Sequence, residues 1–164
     1  MSKYKNILVP YIFVTLLGVL LHFTYEWSNK NYVVGLFSAT NESTWEHLKL
    51  AFFPLLILTI WQSFRQYKND DHFLSARTIG IIASMLFIIV AFYTYTGVLG
   101  KNIDFVNILI YFLGIAFGFC VEKTIYNKTK LLSNNSAIII LFLFAFLFII
   151  FSYAPPNLGI FQAP

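Results

Sequence analysis

The polar residues of this chain are confined to short intervals between long apolar runs. Five of those runs approach the roughly 20 residues that an α-helix needs to cross the hydrocarbon of a bilayer. The first, Ile7 to Tyr25, follows Lys3 and Lys5, but no small-x-small cleavage site comes after it. It therefore reads as a retained span rather than a signal peptide. The second, Leu48 to Trp61, is too short to cross alone and holds Lys49 and Pro54, so it must borrow turns from the polar segment before it. Ile79 to Tyr95, Phe105 to Val121 and Ala137 to Tyr153 supply the others. The expected spans are 7–26, 43–65, 77–97, 104–122 and 136–154, joined by short connections with no room for a soluble domain. Residues 1–164 thus read as a single transmembrane domain, an all-α integral membrane bundle of five helices.

Composition fits this pattern. Of 164 residues, 59% are hydrophobic and 11% charged, against about 25% charged in a soluble domain. The mean hydropathy is +0.73. Aromatic residues make up 20% of the chain, more than two interfacial belts require, so many rings must fill contacts between helices. Placing the N-terminus in the cytoplasm puts Lys3, Lys5, Arg65, Lys68, Arg77, Lys123, Lys128 and Lys130 on that side, and Lys30, Lys49 and Lys101 on the other. Eight against three satisfies the positive-inside rule, which gives a cytoplasmic N-terminus and an extracytoplasmic C-terminus. The net charge of +4 is spread over separate loops without an aromatic-interleaved basic patch, so no nucleic-acid partner is expected. The single cysteine, Cys120, excludes an intramolecular disulfide and a Cys-rich zinc site. No internal repeat is visible, and an odd number of spans argues against two equal inverted halves, although a homo-oligomer would supply symmetry.

Ionisable groups at membrane depth are costly and mark functional sites. Here they gather at the outer ends of spans one and two. His22 and Glu26 are four residues apart on one helical face, and Glu42, Glu46 and His47 open the next span at the same level. Imidazole nitrogens and carboxylate oxygens from two helices suit a divalent metal such as Zn, Mn, Fe or Ni. The candidate ligands are His22, Glu26, Glu42, Glu46 and His47. Asn41, Ser43, Tyr95 and Asp104 are candidate supporting groups for a bound cofactor. With a metal in place, Glu42, Glu46 and His47 would carry catalysis: a carboxylate left over acts as general base on metal-bound water, hydrolysing a headgroup or lipid-linked substrate at the outer leaflet. The same groups equally suit the titrating site of a small ion- or proton-coupled transporter, or a docking site on a non-catalytic assembly subunit.

Structural roles compete for the same residues. Ser43-Thr44-Trp45-Glu46 fits a capping box in which Glu46 returns to the Ser43 amide, and Glu46 can pair with Lys49 at i, i+3. Pro54 predicts a kink or loosened turn at the Leu50 carbonyl. The tail from Ser152 to Phe161 reads as a lid over the outer mouth or as a segment resting in the headgroups. Asp70, Asp71 and His72 read as surface groups. The cytoplasmic half offers no comparable cluster, and Glu122, with Lys123 beside it, reads as an interfacial acid.

The run Asn41-Glu42-Ser43-Thr44-Trp45-Glu46-His47, together with His22-Phe23-x-Tyr25-Glu26-Trp27, Tyr93-Thr94-Tyr95-Thr96-Gly97, Asp104 and Pro155-Pro156, resembles a family of small bacterial membrane proteins known as domain of unknown function 6512. The likeness covers nearly the whole chain. The tail departs from it, ending at Gln162-Ala163-Pro164 where an acidic Asp-Pro and a glycine-rich stretch are expected. The resemblance implies a bacterial plasma-membrane setting and supplies no activity.

Overall fold

The computed structural model describes residues 7–68, 70–128 and 130–163. Lys3 and Lys5, used above for orientation, lie outside them. The described residues form helices α1 (Leu8–Trp27), α2 (Tyr32–Gly35), α3 (Thr44–Arg65), α4 (Phe73–Leu99), α5 (Asp104–Tyr126) and α6 (Asn134–Phe151), then a 3-10 turn at Gly159–Phe161. The fold is all-α, and α1, α3, α4, α5 and α6 are each long and apolar enough to cross a membrane. Two boundaries differ from expectation in a way that matters. Helix α4 starts at Phe73 and α5 runs on to Tyr126, so Arg77 and Glu122 lie within helices rather than in or beside loops.

Helix α3 is the least apolar of the five, yet it is the most enclosed: 61% of its most apolar stretch is buried, against 17% for α1 and α6. This is the arrangement a lipid solvent imposes. Polar side chains have no water to reach and turn inward, while Leu16 of α1 and Phe142 of α6 face outward. Phe52 and Phe53 of α3 pack on Phe148 of α6, and α3 also meets Val14 of α1 and Met85 of α4 in the same core.

Helix α3 runs unbroken through Pro54. Proline lacks the N–H that would have bonded to the Leu50 carbonyl four residues earlier. The Tyr111 hydroxyl of α5 lies 3.3 Å from that oxygen, and equally from the Val14 carbonyl of α1. Gly18 makes the approach possible, since a Cβ there would collide with both the Tyr111 hydroxyl and the Leu50 carbonyl.

Helices α4 and α5 come closest. A Cβ on Gly80 would stand 2.8 Å from the Gly118 carbonyl oxygen, and one on Gly118 would stand 2.7 Å from that of Gly80. Gly114 and Gly118 form a G-x-x-x-G pair against Gly80 and Ser84, the small-residue geometry that lets membrane helices touch at the backbone.

Candidate metal centre

One end of the bundle gathers the end of α1, the whole of α2, the start of α3, the ends of α4 and α6 and the start of α5. The connection between α1 and α3 folds back on itself there. The buried Ser38 hydroxyl donates to the Leu21 carbonyl and accepts from the Tyr25 amide and the Thr24 hydroxyl. Asn31 caps α2 by accepting from the amides of Val33 and Val34. Tyr153 stacks on Tyr32 and donates its hydroxyl to the Tyr32 carbonyl at 2.9 Å. Burial pushes that phenol above its ordinary pKa, with Tyr25, Tyr32 and Glu46 adding in the same direction, so it stays a donor. The tail folds onto the bundle: Phe161 packs against Trp45 and Phe151, so it covers the start of α3.

Within this frame His22, Glu42 and His47 come together, each offering a ligand atom within 4.8 Å of the others. The two imidazole rings meet edge to face, with centroids 5.2 Å apart. Both histidines are half-buried and Glu42 is exposed, so the group is open to one side. His47 Nδ1 lies 2.9 Å from the Ser43 carbonyl oxygen, and its Nε2 lies 3.3 Å from Glu42 Oε2.

The other two acids named in the sequence are not members of this group. Glu26 is exposed and pairs with Lys30 at 3.7 Å. Glu46 is buried and turns away from the histidines. Its Oε2 accepts from the Thr40 amide and hydroxyl, each at 2.8 Å, and from Lys49 Nζ at 2.6 Å. The capping box is therefore half formed. Ser43 Oγ accepts from the Glu46 amide at 3.3 Å, but the Ser43 amide goes to Asn41 Oδ1 instead of returning to Glu46. Lys49, counted above as an outer-side lysine, is fully buried and also donates to the Gly35 carbonyl and to Ser152 Oγ, both at 2.8 Å.

The supporting groups take structural roles here. Asn41 and Ser43 shape the entry to α3. The Tyr95 hydroxyl bonds to Asn102 at 3.0 Å and to Asn107, and it accepts from the Ile103 amide, which closes the turn between α4 and α5. Asp104 is exposed in the first turn of α5, where a negative charge suits the helix dipole.

The opposite end overturns three expectations. Glu122 is no interfacial acid: it is 1% exposed, and its Oε2 accepts from Arg77 Nε at 2.7 Å. Arg77 also donates to Gln62 Oε1 at 2.7 Å and to Thr59 Oγ1 at 3.4 Å, and its guanidinium lies over the rings of Phe73 and Phe119. A polar centre thus exists in this half as well. The sequence carried a signal for it. Gly114, Gly118 and Glu122 recur every four residues, so the stripe that marks the α4–α5 contact runs directly into the acid. Half-buried Asp70 is likewise more than a surface group, accepting from the Tyr126 hydroxyl and so tying the α3–α4 connection to α5, whereas Asp71 and His72 are exposed, as expected, with Asp71 accepting from the Asn134 amide at 3.3 Å.

A family model described as Family of unknown function (DUF6512) matches residues 1–164. No curated protein and no solved structure matches the chain.

Proposed function

The chain belongs to the family of unknown function that matches its residues 1–164, and we propose that it is a multi-pass membrane protein holding a divalent transition-metal ion at the extracytoplasmic end of its bundle, with His22, His47 and Glu42 as ligands. The observation that carries this reading is the orientation of His47. A carbonyl oxygen can only accept, so the contact with Ser43 puts the hydrogen on Nδ1 and leaves a lone pair on Nε2 in the neutral ring. That lone pair faces a carboxylate oxygen at 3.3 Å. Two acceptors need a cation between them. A proton would satisfy the pair alone, whereas His22 supplies the third donor that a metal uses. A backbone carbonyl holding the remote nitrogen of a histidine is also the usual outer support of a metal ligand.

Two nitrogens and one oxygen leave a coordination position open on the exposed side, as catalytic rather than structural zinc sites do. A bound metal would polarise a substrate oxygen or acidify a water there. Glu46 is tied to Lys49 and Thr40, which takes it out of the role of general base. The depth of the site favours a headgroup or lipid-linked ligand. Between the two polar centres the core is built mainly from apolar residues such as Phe52, Leu55, Met85 and Ile115, with no charged side chain among the described residues there, which favours a fixed site over an ion pathway.

Sidedness follows the basic residues. With Arg77 and Lys49 set aside as buried, five basic residues among the described ones, Arg65, Lys68, Lys123, Lys128 and Lys130, lie at the end opposite the histidines and two, Lys30 and Lys101, at their end.

Cobalt(II) titration of the purified full chain tests the site, because tetrahedral cobalt with nitrogen and oxygen ligands absorbs visibly. One saturating equivalent is expected in the wild type and in Glu26→Gln, and none in His22→Ala or His47→Ala. Equal absorption in the wild type and His47→Ala would overturn the assignment.

A further inference from the structure

At the end of the bundle opposite the histidines, a cavity of about 470 Å³ lies between the first turns of α1 and the last turns of α3, within the usual range of small-molecule pockets. Its mouth is formed by Val9, Phe13, Ile57 and Trp61, all exposed on the outer surface of the helices, so it opens sideways to lipid. Its floor holds Arg77 and Gln62, both nearly inaccessible, with Gln66 beside them and the Phe119 ring above. An apolar mouth leading to a polar floor fits an amphiphile entering from the bilayer.

The hydrogen bonding of the floor narrows its head group. Arg77 is neutralised by Glu122 at 2.7 Å, with both side chains about 2% exposed. A phosphate or carboxylate head would place a second negative charge beside buried Glu122 with one guanidinium to balance both, which is strongly unfavourable. The head is therefore uncharged. Gln62 Oε1 accepts from Arg77, and Gln62 Nε2 donates to Gln66 Oε1 at 3.3 Å. Both amide oxygens accept within the floor, while Gln66 Nε2 donates to no protein group among the described residues, so an acceptor such as a carbonyl oxygen suits it. Phe13 and Trp61, both exposed, offer aromatic side chains along the way in, suited to a flat head.

We infer that this cavity binds a quinone-type lipid, an uncharged ring bearing carbonyl oxygens on a long apolar chain, with its carbonyl at Gln62 and Gln66 and its chain leaving between α1 and α3. The assignment is independent of the metal site and concerns binding alone.

Decylubiquinone titrated into the full chain in phosphatidylcholine nanodiscs tests this, read by quenching of tryptophan fluorescence. Trp61 lines the cavity, whereas Trp27 and Trp45 lie at the far end of the bundle. Saturable quenching is expected, with Trp61→Phe removing most of the signal. Gln66→Leu alters an exposed side chain and should weaken binding roughly fivefold to tenfold, the scale of one lost hydrogen bond. Ile57→Phe fills the mouth from the lipid side and should weaken it further. Quenching that rises without saturation and equally in all variants, or displacement of the quinone by dodecyl phosphate, would overturn the inference.

Discussion

Lys49 has three N–H groups and three acceptors, on Glu46, Gly35 and Ser152, so one buried ammonium ties α3 to α2 and to the end of α6. A charge so placed is held by its partners rather than by solvent. Lys49→Met leaves Glu46 buried and unpaired, and a loss of about 3–5 kcal/mol is expected. Glu46→Leu combined with Lys49→Met removes both charges and should recover most of that loss. Thermal unfolding in detergent of the two variants checks this, and equal destabilisation in both would count against an ion-pair origin. The i, i+3 pairing of Glu46 with Lys49 was legible from spacing. Its consequence was not, because the second partner of the Glu46 carboxylate, Thr40, depends on the path of the α1–α3 connection. Glu122 was misread for a simpler reason: adjacent residues on a helix point about 100° apart, so Lys123 was never a partner for it.

At the scale of elements, the α4–α5 pair rests on backbone contact between glycines. Gly118→Ala forces a Cβ to 2.7 Å from a carbonyl oxygen that sits in a helix and cannot swing away. It should cost about 1–3 kcal/mol, the range for overpacking, and should disturb the neighbouring Arg77–Glu122 pair. Gly97→Ala on the same pair of helices, where a Cβ meets open space, serves as the control. Resistance to unfolding by sodium dodecyl sulfate is the measurement, and equal midpoints for the two variants would contradict the packing argument. The spans themselves were readable because the hydrocarbon layer acts directly on composition. Their ends were not: α4 and α5 extend past their apolar runs because Arg77 and Glu122 neutralise one another inside the bundle. Pro54 likewise predicted a weakened turn, and the Tyr111 hydroxyl that supports it comes from a helix far along the chain.

For the whole molecule, the charged side chains among the described residues are divided between the two ends of a bundle whose middle holds mainly apolar residues, with the hydroxyls of Thr15, Ser84 and Tyr111 among them. One end carries an open His22–Glu42–His47 group and the other a closed, neutral Arg77–Glu122 pair beneath a lipid-facing cavity. Sequence spacing brought five ionisable groups to one depth; local pairs at i, i+4 and i, i+3 hold Glu26 to Lys30 and Glu46 to Lys49, while the tertiary meeting of α1 with the start of α3 brings the other three together. The central claim is that those three hold a metal. Elemental analysis by mass spectrometry of the full chain, purified in detergent without added metal and compared with His22→Ala and His47→Ala at matched folding, addresses it most directly. One equivalent of Zn, Mn, Fe or Ni per wild-type chain, absent from both variants, is the expected result. A folded wild-type chain free of all four, or the same metal content in wild type and variants, would contradict it.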